Sequence, residues 1–99
     1  MIHGPWPDYY ARRRAAPQVP VVVYGTRWCG QTQLLRRHLE RLGVPYRYVD
    51  LDLDPDAADQ LRWWTGGYAS HPTLYINGEI LVEPTLGEVN GALMRNGFR

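Results

Sequence analysis

The one cysteine of this chain is Cys29, in the stretch RWCGQT at residues 27–32. It falls where a β-branched apolar run gives way to a helix-forming segment. At a helix start the unpaired N–H groups and the helix dipole favour an anion. That position lowers a thiol's pKa, and the thiolate is the form that attacks. Arg27 adds positive charge nearby, and Trp28 offers an apolar shelf beside the sulfur. The competing reading of the position is a buried, inert thiol that behaves as a small core hydrophobe. In a redox site of the C-x-x-C kind the second thiol would stand at position 32, where this chain has Thr32. A threonine cannot resolve a mixed disulfide. Its hydroxyl can donate to a thiolate and stabilise it, or bond locally to the first turn of the helix.

A second candidate is SHPT, at residues 70–73. Pro72 opens a strand after a glycine-rich turn, a place that can hold a cis peptide bond; an ordinary trans proline is the alternative. A cis bond would leave the backbone N–H and C=O of His71 as an open edge, able to pair with an extended peptide or peptide-like thiol. The His71 ring either assists deprotonation of Cys29 or faces solvent.

These groups need a scaffold, and the pattern around them supplies one. VPVVVYG reads as a strand buried on both faces. From Gly30 to Leu42 the spacing of Leu35, Leu39 and Leu42 predicts a helix with those three inward, ended by Gly43 and Pro45. YRYVDL alternates as a second strand. Asp54-Pro55 caps a second helix, which stops at Gly66-Gly67. TLYI and EILV form a hairpin around a type I′ turn at Asn77-Gly78. Thr85 and Glu88 make a capping box before a last helix with Leu86, Val89, Leu93 and Met94 inward. The order is β-α-β-α-β-β-α: an α/β fold with a mixed four-stranded sheet, a right-handed crossover and helices on both faces. Residues 1–18 hold three prolines and no periodic pattern and read as a weakly ordered extension; residues 19–99 form the domain.

Composition narrows the function. The 99 residues carry a net charge of +1, which points to no nucleic acid or membrane surface. A lone cysteine rules out an intramolecular disulfide and sets the expectation of a reducing cytoplasm. No apolar run reaches the length of a membrane span. The segment RRRAAPQVPVVVYG is too broken by Pro17 and Pro20 to serve as an export signal. Asp50, Asp52, Asp54 and Asp56 follow a strand's solvent face and a helix cap rather than a metal ladder. One or both of Trp63 and Trp64 pack at the end of the second helix, and Arg12 to Arg14 form a solvated tail.

Residues 19–96 resemble the glutaredoxins of the thioredoxin-like superfamily. The resemblance rests on VVVYGTRWCGQT, on GGYASHPTLYINGEIL, and on an x-Pro-Thr turn before the last helix. It is nearest in pattern to the mycoredoxin and actinobacterial glutaredoxin-like branch. It implies the thioredoxin-like fold, Cys29 as the nucleophile, Thr32 in the place of the resolving cysteine, and Pro72 as the cis-proline. It further implies a small-thiol surface made by Arg27, Trp28, Gln31, His71, Pro72, Glu83, Pro84 and Thr85. The chain departs from the family most decisively at Thr32, and also at His71, where the residue is usually apolar, and in three further places. Val82-Glu83 stands where many members have two glycines, Thr85 where an aspartate is common, and Thr26 where a lysine is common.

The implied activity is a monothiol thiol-disulfide oxidoreductase. It would reduce mixed disulfides between proteins and a low-molecular-weight thiol, glutathione or a mycothiol-like thiol, as a cytoplasmic monomer. Two alternatives stay open. One is an iron–sulfur carrier in which Cys29 and a small thiol from each of two subunits bridge a cluster; its relatives carry C-G-F-S, and this chain has C-G-Q-T. The other is a non-catalytic module that binds a partner through the Pro72 edge. No other metal site is expected.

Overall fold

The structure is a computed structural model that describes residues 20–67, 69 and 71–98. The expected extension, residues 1–18, lies outside the described residues, and so do Tyr68 and Ser70 beside the cis-proline loop.

Strand β1, Val21–Gly25, is buried along its whole length because it is central in every direction. It pairs in parallel with β2, Arg47–Asp50, on one side and antiparallel with β3, Thr73–Ile76, on the other. Strand β4, Glu79–Val82, completes the sheet in the order β2-β1-β3-β4. Asn77 and Gly78 turn the β3–β4 hairpin with φ of 48° and 98°, both left-handed, as a type I′ turn demands.

Successive residues of β1 face opposite sides of the sheet, and the core divides accordingly. Val21 and Val23 join Leu74 and Ile76 on one face. There they meet Leu35 and Leu39 of helix α1, Gly30–Arg41, and Val89, Ala92 and Leu93 of helix α3, Leu86–Arg95. Val22, Tyr24 and Tyr75 face the other way, onto Leu61 of helix α2, Pro55–Thr65. Trp64 closes that layer, stacked on Tyr75 with ring centroids 5.7 Å apart and edge-on to Tyr24 at 6.0 Å.

Three inward assignments fail. Leu42 caps the C-terminus of α1 and is 43% exposed. The helix ends in a Schellman motif: Gly43 takes φ 71°, and Val44 N–H donates to the Leu39 carbonyl at 3.0 Å. That motif sets the residue after the glycine against the helix's last turn, so Val44 enters the core in place of Leu42. In α3, Met94 is 73% and Leu86 39% exposed. The buried stripe is Val89, Ala92 and Leu93, and Met94, one residue on from Leu93, turns about 100° away from it. Of the tryptophan pair only Trp64 packs inward; Trp63 remains 61% exposed.

Candidate active site

The end of β1 and the start of α1 meet in a tight turn. Cys29 N–H donates to the Thr26 carbonyl at 3.2 Å, and Cys29 is the N-cap residue of α1, one position earlier than the expected first turn. Its side chain makes no capping hydrogen bond, and the first turn holds no acidic residue. The sulfur is partly exposed and lies where the helix's unpaired N–H groups converge.

Thr32, one turn into α1, is fully buried. It sits directly against Gly25: a Cβ at Gly25 would lie 2.4 Å from Thr32 Oγ1, so only glycine lets this threonine seat. Thr32 Oγ1 has no hydrogen-bond partner among the described residues. A buried hydroxyl without a partner is costly, and ionisation of Cys29 supplies one. The thiol pKa is lowered from 9.0 to about 7, first through the Thr32 hydroxyl and then, against an opposing effect of burial that ranks second in size, through the His71 side chain and the backbone N–H groups of Thr32 and Gln31. The Thr32 bond thus belongs to the thiolate form rather than to the resting thiol.

The His71–Pro72 peptide bond is cis. In the neutral state the Cys29 thiol points at the His71 carbonyl, 4.0 Å from Sγ. Pro72 is buried, and its carbonyl accepts from Glu83 N–H at 2.8 Å. That bond ties the loop carrying His71 to the β4–α3 connection. Glu83 has φ 48°, a left-handed value that glycine tolerates best. Thr85 is the N-cap of α3 and forms a complete capping box with Glu88. A groove of about 560 Å³ runs between β4 and α3, with Pro84 and Thr85 in its walls but neither Cys29 nor His71.

The glutaredoxin family profile matches residues 21–81, well over half the chain. This chain belongs to the glutaredoxin family. It is 33% identical over 82 residues to a rice protein, monothiol glutaredoxin-S8 of Oryza sativa subsp. japonica, covering 69% of this chain and 72% of that one. Among solved structures it superposes on the holo form of glutaredoxin C1 from Populus tremula x tremuloides. There the TM-score is 0.63 at 27% identity, over 88% of this chain and 86% of that one. A buckwheat glutaredoxin–glutathione complex matches with TM-score 0.62 at 24% identity, over 77% and 74% of the two chains. At that identity the likeness shows the thioredoxin-like fold.

Within this glutaredoxin fold the expected site residues divide into three groups. Cys29, Gln31, Thr32 and His71 converge on one sulfur. Arg27 and Trp28 flank it: the Arg27 guanidinium lies 5.5 Å from the Trp28 ring centre, Trp28 is 80% exposed, and Arg27 is not among the leading causes of the lowered thiol pKa. Glu83, Pro84 and Thr85 line the far end, linked to the sulfur through Pro72. Among the described residues no group of three or more His, Cys, Asp or Glu side chains is placed to hold a metal ion, and no helix is long and apolar enough to cross a membrane. Sequence reasoning passed over Gly25, whose role is set by a contact across the fold. It also passed over Gln33, whose Nε2 donates to the Thr26 and Arg27 carbonyls. A polar residue four positions after the cysteine was the only signal for Gln33.

Proposed function

We propose that the protein reduces mixed disulfides between proteins and a low-molecular-weight thiol through Cys29 alone. The observation that carries this is one thiol at an uncapped helix start, with its pKa lowered to about 7 by the Thr32 hydroxyl that occupies the place of a resolving cysteine. Near neutral pH about half of such a thiol is thiolate, and a thiolate with a pKa close to ambient pH is an effective attacker of disulfides.

The Cys29 thiolate attacks the small-thiol sulfur of the mixed disulfide. The old S–S bond breaks, the substrate protein leaves as a thiolate and takes a proton, and Cys29 carries the small thiol. A second small-thiol molecule, as its thiolate, attacks that same small-thiol sulfur. It releases the Cys29 thiolate and departs as the small-thiol disulfide. One small thiol and the mixed disulfide thus become the protein thiol and the small-thiol disulfide, and no second protein cysteine takes part. Thr32 and the N–H groups of Gln31 and Thr32 hold Cys29 as an anion before attack and as a leaving group afterwards. The His71 backbone, beside the cis bond, is the edge on which the peptide-like part of the small thiol pairs. Arg27, Trp28, Glu83, Pro84 and Thr85 extend that surface.

The complex of a buckwheat relative with glutathione supports glutathione as the thiol, with mycothiol as the other substrate to test. A single free cysteine suits a reducing cytoplasm, and the one-cysteine cycle is complete in a monomer. Neither a membrane nor a nucleic acid enters it. The test is mass spectrometry of Cys29 after exposure to oxidised glutathione and to mycothiol disulfide, followed by turnover on a peptide carrying the thiol that bound. One small-thiol adduct on Cys29 and turnover lost in Cys29→Ser are expected. Full turnover in Cys29→Ser would sink the proposal.

A further inference from the structure

Gln33 grips the Cys29 turn at both ends. Its backbone N–H donates to the Cys29 carbonyl at 3.2 Å. Its side-chain Nε2 donates to the carbonyls of Thr26 at 3.5 Å and Arg27 at 3.3 Å. The Thr26 carbonyl is the same one that accepts from Cys29 N–H. One side chain therefore fastens the turn that delivers the nucleophile to the helix that the nucleophile caps.

A glutamine amide has a donor end and an acceptor end, and a flipped amide would set Oε1 against two carbonyl oxygens. Arg36 selects the productive orientation. Its Nη1 donates to Gln33 Oε1 at 3.4 Å, and a guanidinium can only donate. Arg36 is itself fixed from the β2 side: Nε donates to the Tyr46 hydroxyl at 3.1 Å, and its carbon lies 3.9 Å from the Tyr48 ring centre. The Tyr46 hydroxyl in turn donates to Glu40 at 2.5 Å. Hydrogen bonds linked in this way polarise and stiffen one another.

We propose that Gln33 is a positioning residue for the Cys29 nucleophile and that Arg36 acts through it by fixing its amide. Neither residue is among the groups that lower the thiol pKa, which are Thr32, His71 and the N–H groups of Gln31 and Thr32. Their effect runs through the turn: with the turn loose, the sulfur leaves those N–H groups and ionises less readily. The proposal rests on Cys29 as the reacting thiol.

The test is a mutant cycle of Gln33→Met, Arg36→Met, Arg36→Lys and the double methionine variant. It is read by the pH profile of Cys29 alkylation with iodoacetamide, by turnover on the mixed-disulfide peptide, and by thermal melting to confirm folding. Gln33→Met keeps the volume and removes the donor. It is expected to raise the apparent thiol pKa by about half a unit and to cut kcat by about tenfold through misplacement of the sulfur. Arg36→Met moves both in the same direction by less, and Arg36→Lys, which keeps a donor, recovers most of the loss. In the double variant the Arg36 effect vanishes, as it must when one residue acts through the other. A folded Gln33→Met protein with the wild-type alkylation profile overturns the proposal, as does full additivity in the double variant. Absence of turnover in the wild type would instead count against the redox reading, and the alkylation profiles would still decide the role of Gln33.

Discussion

Helices α1 and α3 both pack on the same face of the sheet, yet their N-termini are finished in opposite ways. At α3, the Thr85 hydroxyl accepts from Glu88 N–H at 3.1 Å and the Glu88 carboxylate accepts from Thr85 N–H at 2.8 Å. At α1, the cap residue is Cys29, which bonds no N–H through its side chain, and the first turn has no acid. The α3 start is closed by its own side chains and contributes stability. The α1 start leaves its donors for the one group that can turn into an anion. Part of the stability that a cap contributes, about 1 kcal/mol, is withheld at α1 and becomes available to the thiolate.

Substitutions at either end can exchange these roles. The largest effect is expected from Cys29→Asp, which should abolish turnover while capping α1 and raising stability by about 1 kcal/mol. Activity assay and thermal melting measure the two together, and a protein that is inactive but no more stable would show that the α1 start is satisfied some other way. Gly25→Ala comes next. The new methyl group would strike Thr32 within the packed core, at an expected cost of about 1–3 kcal/mol, read by chemical denaturation.

Thr32→Val keeps the shape and removes the hydroxyl. The thiol pKa should rise from about 7 toward 9.0, lowering alkylation by iodoacetamide at pH 7 about fivefold, while above pH 9 the two proteins react alike. The sign for stability follows. A thiol whose pKa is lower folded than unfolded stabilises the fold fully above its ordinary pKa, and that contribution fades as pH falls through the folded value. Thr32→Val should therefore lose stability at high pH only. At low pH, where the wild-type hydroxyl is buried and unpaired, it should lose none. Thr85→Ala is the smallest, about 1 kcal/mol of stability from the opened capping box with the Cys29 pKa unchanged; a shifted pKa would mean that the two helix starts are coupled.

Much of the fold was legible because local chemistry encodes it. Asn77-Gly78 can form a type I′ turn without strain, Asp54 and Thr85 cap the helices they precede, and Val21 to Val23 can only be a buried strand. The failures share one cause. Leu42 and Met94 satisfy a helical period, but period alone does not tell where the sheet ends or which residue a Schellman turn will deliver. Glu83 gave no local sign of its left-handed backbone, because its conformation follows from the bond between its N–H and the Pro72 carbonyl.

The candidate site divides along the same line. The sequence by itself determined that there is one thiol, that it stands at a helix start, and that no second cysteine can resolve what it forms. These follow from residue identity and short-range spacing. The tertiary structure decided what surrounds the sulfur. It brought the His71 carbonyl, 42 residues away in the chain, to Cys29, set Thr32 against Gly25, and fastened the nucleophile's turn through Gln33 and Arg36 to the tyrosines on the β2 side. Hydrogen bonds and steric contacts act over a few ångströms, so only the folded chain selects which distant residues share that space.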